Sequence, residues 1–366
     1  MPLEEIADPK KLNVLPGFLC STWKTISINN FYIVLFKFIS KNYFYRKFDV
    51  LEKGLVIKST GSWYTVESEN GELFECKIKG NFRIKGIKST SPVAVGDRVE
   101  FKIQPKSGEN DPKNMGLITA ISDRKNYIVR RSPNLSKQSH IIAANIDQAI
   151  LIATINYPVT TTTFIDRYLA SAEAYRIPVL LVFNKTDRYN KTQQEELQKL
   201  TTIYKKIGYK CLATSAENKE GIEELKQAIK NKTNVINGHS GVGKSTLINL
   251  IQPGLNIKTK EISDIHKTGK HTTTYSTLYK LSFGGYIIDT PGIKGFGMLD
   301  MEPWEITHYF PEIFKISEKC QYNNCSHTHE PGCAVKAAVE RGEIAPSRFI
   351  SYLGLLESDD KYRPAY

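Results

Sequence analysis

The sequence predicts a multidomain α/β protein in three parts: an N-terminal oligonucleotide-binding-type (OB-type) β-barrel, a phosphate-loop domain built on a parallel sheet, and a C-terminal helical metal-binding domain. Three observations predict it. Short β-type runs broken by turn residues fill 51–125, near-continuous apolar strands alternate with helical segments over 126–300, and a tight Cys/His cluster lies within 301–366. A chain of 366 residues suits two or three such units. Its 40% hydrophobic and 24% charged residues are those of a chain that packs a core, unlike disordered, collagenous or membrane proteins.

Residues 1–50 are aromatic-rich without periodicity and read as a poorly ordered extension. A membrane- or partner-binding arm is the sharper alternative. Translated upstream sequence ahead of a natural start near Leu51 is another, and N-terminal sequencing distinguishes it. The apolar run Phe31–Phe36 is broken by Lys37, far short of the ~20 residues of a membrane span. Glu4, Glu5 and Asp8 stand where a signal peptide needs a basic start. A cytoplasmic location with no membrane partner is expected.

The net charge is +12, which favours a polyanionic partner. The excess concentrates in 126–300, at +9, whereas 301–366 carries −3.

From Gly54 the barrel candidates follow in order: Gly54–Ile57, Trp63–Val66, Leu73–Ile78, Arg98–Ile103 and Gly116–Ile121. Turn residues such as Glu69-Asn70-Gly71 and Val95-Gly96-Asp97 separate them. Five short strands over ~70 residues suit a small OB-type barrel. Lys77, Lys79, Arg83, Lys85 and Lys88 surround Phe82 with no acidic residue between Cys76 and Gly96. Phosphate contacts and one stacking ring would grip single-stranded RNA. A solvated basic loop of no special use is the plain alternative.

Strand Ile146–Ala153, helix Thr163–Arg176, strand Pro178–Phe183, helix Lys191–Ile207, strand Tyr209–Ala213, helix Gly221–Ile229 and strand Asn234–Asn237 then alternate. Apolar strands with helical crossovers mean a parallel sheet covered on both faces.

The stretch Gly238-His239-Ser240-Gly241-Val242-Gly243-Lys244-Ser245, leading into Thr246, follows a strand and opens a helix. It fits the phosphate loop in full: backbone N–H groups curl around a triphosphate, Lys244 reaches its β- and γ-phosphates, and the Ser245 hydroxyl meets Mg²⁺. Asp289-Thr290-Pro291-Gly292 ends the strand Gly285–Ile288, where Asp289 serves Mg²⁺ and the Gly292 N–H meets the γ-phosphate. Any hydroxyl of Thr272-Thr273-Thr274 could complete the magnesium shell, with Thr273 favoured. In Asn184-Lys185-Thr186-Asp187 the Asp187 carboxylate can accept the paired N1–H and 2-amino protons of guanine. Adenine offers no such donor pair. Ser215-Ala216 adds backbone contacts to the guanine edge.

Cys320-x₄-Cys325-x-His327-x₅-Cys333 crowds three thiols and an imidazole into 14 residues, enough for closed tetrahedral structural zinc. Spacing alone leaves His329 as a competing ligand. Helices Ala334–Arg341 and Pro346–Leu356 follow, with Gly342 between them as a stop signal.

Ordinary GTPases run phosphate loop, magnesium threonine, Asp-x-x-Gly, Asn-Lys-x-Asp, Ser-Ala; here the last two come first. The 126–300 domain resembles a circularly permuted GTPase. A site at the ends of parallel strands is defined in space, so its order in the chain is free to rotate. With the barrel before and the cluster after, residues 51–355 resemble the ribosome small-subunit-dependent GTPase A family. The matching stretches include Val95-Gly96-Asp97-Arg98-Val99, Asn145-Ile146-Asp147-Gln148, Asp166-Arg167-Tyr168-Leu169, Gly269-Lys270-His271-Thr272-Thr273-Thr274 and Glu330-Pro331-Gly332-Cys333.

The resemblance implies GTP hydrolysis stimulated by the small ribosomal subunit during its late maturation, with hydrolysis driving release. It implies rRNA contacts from the barrel and the C-terminal domain, and it favours His327 over His329. Ile293 follows Asp-x-x-Gly where many GTPases carry a water-orienting glutamine, so the family suspect, His271, is the catalytic candidate. A monomer is expected. Two other readings stay open: an RNA-binding module that senses GTP/GDP with negligible hydrolysis, and an ATP-driven enzyme in which Asp187 is irrelevant.

Overall fold

Inward and outward residues alternate along the first strands, with Tyr64, Val66 and Ser68 facing in, as the two faces of a barrel wall require. The computed structural model describes residues 51–78, 92–104, 114–131, 139–255, 276–289 and 303–357. Its first strands are β1 (Leu51–Ser59), β2 (Tyr64–Ser68), β3 (Leu73–Ile78), β4 (Arg98–Gln104) and β5 (Met115–Ile121). They pair in the order β1-β2-β3-β5-β4, and β1 also pairs with β4. The β3–β5 pairing is parallel and the rest antiparallel. Val56, Phe74, Cys76, Val99, Phe101 and Ile118 fill the interior. The chain divides into Met1–Val50 and Leu51–Tyr366, and the expectations placed on residues 1–50 lie outside the described residues.

A buried ion pair fixes the exit from the barrel. Arg124 donates through Nε and Nη2 to the two Asp97 oxygens at 2.7 and 2.6 Å, and Asp97 Oδ2 also accepts from the Ala94 N–H. Hairpin β6 (Tyr127–Arg131) and β7 (Ser139–Ala144) follows, a pair the sequence pattern had not separated. Asn145 Nδ2 donates to the Gly96 carbonyl at 2.9 Å, tying the hairpin's end to the Asp97 turn.

The parallel sheet then forms from β8 (Gln148–Ala153), β9 (Val179–Phe183), β10 (Lys210–Ala213), β11 (Thr233–Asn237) and β13 (Tyr286–Asp289), with β12 (Thr277–Lys280) antiparallel to β13. Every residue of β8 and β9 is buried, because alternate side chains enter two separate cores. Leu151, Ala153, Leu181 and Phe183 join the core on one face, and Ile150, Ile152, Leu180 and Val182 join that on the other. Helices α1 (Thr162–Ala174), α2 (Lys191–Ile207), α3 (Ile222–Ile229) and α4 (Lys244–Ile251) cover these faces. A reciprocal Asn190/Gln193 cap starts α2, and Gly208 ends it. The order β10-β9-β8-β11-β13-β12 puts β11, which leads into the phosphate loop, between a strand that precedes it in the chain and one that follows. β12 also meets β1 through Lys58 and Thr277, so the sheet runs on into the barrel.

At the C-terminus, α5 (Pro303–Ile306), α6 (Pro311–Ser317), α7 (Ala334–Glu340) and α8 (Pro346–Leu356) gather a third core around Phe310, Ile313, Val335 and Tyr352, which also takes in Ala170 of α1. None of the helices among the described residues is long and apolar enough to cross a membrane.

Candidate active site and metal centre

The phosphate loop depends on residues without side chains. Gly238 follows β11 with φ +146°, and a Cβ there would lie 2.3 Å from the Ile152 carbonyl of β8. Gly243 caps α4 in the left-handed region, φ +96°, and a Cβ would lie 2.4 Å from Asn184 Nδ2. That close approach permits the contact that assembles the site: Asn184 Nδ2 donates to the Val242 carbonyl at 2.8 Å. Lys185, itself left-handed at φ 66°, donates from Nζ to the Gly241 and Tyr157 carbonyls. The two motifs that the sequence separates are in direct contact.

Lys244 Nζ donates to the Gly238 and His239 carbonyls at 2.7 and 2.6 Å, and burial pulls its ammonium down to about 8. Burial, and then the Lys244 charge, also lower His239, whose ring lies 3.9 Å from that of Phe164. Ser245 and Thr246 occupy the first turn of α4, with Ser245 nearly buried. The α4 N-terminus adds partial positive charge toward the loop.

Ser215 Oγ donates to Asp187 Oδ1 at 2.6 Å and accepts from the Asn218 N–H, so it orients the carboxylate as well as supplying backbone. Arg188 Nε lies 3.7 Å from Asp187 Oδ2. Ala216, beside Ser215, packs on the core over β8 and β9. Two supports were not visible in the motifs. Thr214 Oγ1 donates to Asn184 Oδ1 at 3.0 Å, and the Tyr189 hydroxyl donates to the Asn184 carbonyl at 2.6 Å. No local spacing marks either; each is set by where its strand or turn ends.

Ile288 of β13 pairs with Val235 of β11, so Asp289 follows at the sheet end that carries the phosphate loop. His271, Thr272, Thr273, Thr274, Gly292 and Ile293 lie outside the described residues, as do Lys79, Phe82, Arg83, Lys85 and Lys88. Of the basic stretch Lys77 is described, its Nζ 4.3 Å from the Trp63 ring centroid.

Among the described residues Cys320, Cys325, His327 and Cys333 bring one ligand atom each within 4.8 Å of one another. His329 is not in this group. His327 Nδ1 lies 3.6 Å from Cys320 Sγ and 3.5 Å from Cys333 Sγ, and the two sulfurs are 4.0 Å apart. Metal–sulfur bonds of about 2.3 Å at tetrahedral angles give sulfur–sulfur edges of about 3.8 Å, so the residues fit such a metal. Burial, with Cys333 and Cys320 beside it, pushes the Cys325 thiol up to about 12; a bound cation displaces such a proton. Burial holds His327 below its ordinary value, in the neutral form a ligand needs. Its left-handed backbone, φ 62°, is braced by Glu330, which accepts from Ser326 and from the Thr328 N–H. Those bonds, led by the Ser326 hydroxyl, hold the Glu330 carboxyl near 2.

Comparison with known proteins follows the same division. The RsgA GTPase family model matches residues 121–299 and the RsgA N-terminal domain model residues 53–109. Small ribosomal subunit biogenesis GTPase RsgA of Bacteroides fragilis is 58% identical over 316 residues, 86% of this chain and 100% of that protein. Its namesake in Flavobacterium psychrophilum is 57% identical over 84% of this chain and 93% of its own. YjeQ from Thermotoga maritima superposes with a TM-score of 0.66 at 37% identity, covering 84% of this chain and 98% of that one. YloQ, described as a circularly permuted GTPase, gives 0.65 at 28% identity over 87% and 98%. A phosphate loop locked to an earlier Asn-Lys-x-Asp motif, behind a closed barrel and ahead of a Cys₃His cluster, places this chain in the RsgA family of P-loop GTPases, which hydrolyse GTP.

Proposed function

We propose that this chain assists a late step in maturation of the small ribosomal subunit, binding it in the GTP state and leaving after hydrolysis, slow alone and stimulated on the subunit. The observation that carries the reading is the Asn184–Val242 hydrogen bond, which unites a guanine-type motif with a phosphate loop in a chain whose relatives are named for small-subunit biogenesis. Asp187, oriented by Ser215, would accept the two guanine edge protons, and Asn184, Lys185 and Ala216 would frame the base. Backbone amides from Gly238 to Thr246 and Gly292 would hold the phosphates, with Lys244 turning from its carbonyls to the β/γ oxygens. Magnesium, when bound, neutralises charge developing between those oxygens; Ser245, Thr273 and Asp289 offer the hard oxygen donors it takes. His271 would orient or deprotonate the attacking water, the role left open by Ile293.

Domains at 51–125, 126–300 and 301–366 would then divide the work. The first grips rRNA through Lys77, Lys79, Phe82, Arg83, Lys85 and Lys88, the second turns over GTP, and the third is held by structural zinc on Cys320, Cys325, His327 and Cys333. Segments between His266 and Met298 would relax after hydrolysis and change the surface offered to the subunit. The protein would act as a cytoplasmic monomer.

Phosphate release with GTP or ATP, with and without purified small subunits, tests the reading. GTP should be the nucleotide consumed, subunits should accelerate it, and His271→Ala should lose most of that acceleration while GDP affinity holds. Equal use of ATP would remove the role given to Asp187, and turnover indifferent to subunits would remove the ribosomal partner. Full stimulation in His271→Ala would take that residue out of the mechanism.

A further inference from the structure

Helix α1 touches the phosphate loop with one side and the metal-bearing module with the other. Successive helical residues turn by about 100°, so Phe164 and Tyr168 share one stripe while Asp166 and Ala170 share the opposite one. On the first stripe the Phe164 ring lies 3.9 Å from the His239 ring, and the buried Tyr168 hydroxyl accepts from Asn237 Nδ2 at 2.9 Å. These contacts flank Gly238, where the loop leaves β11. On the second stripe Asp166 Oδ1 accepts from Arg348 Nη1 of α8 at 3.0 Å, both side chains being 0% exposed. Ala170 packs in the module's own core.

The line continues to the metal loop. One turn beyond Arg348, the Tyr352 hydroxyl donates to the Ser326 carbonyl at 3.1 Å, and its ring lies 5.9 Å from that of His327. The links are made from two helices of thirteen and eleven residues, and the joint between them, Asp166 with Arg348, is fully buried, so a shift of one helix is passed to the other.

We propose that α1 couples the two sites: Phe164 and Tyr168 are positioning residues for the phosphate loop, and nucleotide in that loop tightens the docked metal module and its hold on the metal. The coupling rests on the nucleotide reading given above. It is reciprocal, so metal binding strengthens nucleotide binding by the same factor.

The test measures zinc affinity of the full zinc-loaded chain by chelator competition, with and without saturating GDP. Lys244→Ala, which should not bind GDP, controls for zinc taken up by the diphosphate itself. GDP should tighten zinc binding roughly fivefold in the unaltered chain. In Phe164→Leu combined with Tyr168→Phe the ratio should fall below about twofold while GDP still binds. Tyr168→Phe alone removes one hydroxyl and should lower the ratio even if the double variant fails to fold. Zinc affinity indifferent to GDP in the unaltered chain overturns the coupling, and a ratio unchanged by Tyr168→Phe overturns its route. If the unaltered chain binds no GDP at all, the nucleotide reading falls and the coupling with it.

Discussion

Lys244 shows how burial of one residue sets a pH dependence. Its folded-state value, lowered by burial to about 8, lies inside the experimental range, and the phosphate contact proposed for it needs the charged form. Above that value, nucleotide binding must draw a proton onto the neutral amine. Affinity should therefore be level below about pH 8 and fall as pH rises, approaching tenfold per unit. Calorimetry with GDP from about pH 6.5 to about 9.5, in buffers of different ionisation enthalpy, would register the proton uptake. Level affinity and no uptake across that range would mean that Lys244 stays charged without nucleotide. The place of Lys244 in the fold was legible because a phosphate loop is a local pattern. Tyr189 and Thr214 were illegible because the carbonyl and the side-chain oxygen of Asn184 recruit them from 5 and 30 residues away.

At the scale of elements, Gly238 marks where β11 must pass β8. Gly238→Ala would press a methyl against the Ile152 carbonyl, a backbone atom that cannot turn aside, whereas Gly241→Ala meets nothing closer than 3.6 Å. Both leave a non-glycine residue at positive φ, so each should cost about 1–2 kcal/mol for the backbone. Gly238→Ala should lose at least about 2 kcal/mol more and weaken GDP binding. Urea unfolding of the two variants side by side decides it, and equal losses would mean that β8 yields. The same crowding explains which elements could be read ahead of the structure. β8 and β9 are uniformly apolar because both faces are covered, and α2 carries its own capping signals. β12 is four residues of mixed polarity; it is a strand because β13 and β1 both offer it hydrogen-bonding edges, and no window of sequence records that.

For the whole molecule, the permuted order was readable from motif sequence alone, while the joints between parts were not, because each is made by residues far apart in the chain. The joint between the GTPase domain and the Cys₃His module is the clearest case. Arg348 is fully buried between Asp166 and Glu312, donating to both. Burial outweighs its pull and keeps the Asp166 carboxyl above the ordinary carboxylate range. Removing the guanidinium strands two carboxylates at low dielectric, so Arg348→Met should cost about 3–5 kcal/mol at neutral pH. Adding Asp166→Asn and Glu312→Gln to that change removes the stranded charges and should restore most of the loss. The pH sign follows from the raised carboxylate. Arg348 holds that carboxyl down against burial, so its loss raises Asp166 further in the folded state; the variant takes up the proton at higher pH than the unaltered chain, and Arg348→Met should gain stability relative to it as pH falls toward the Asp166 value of the unaltered chain. Denaturant midpoints measured from about pH 5 to about 8 distinguish this from lost packing: a deficit that stays constant with pH, or persists in the triple variant, would mean that the joint is held by shape and not by charge.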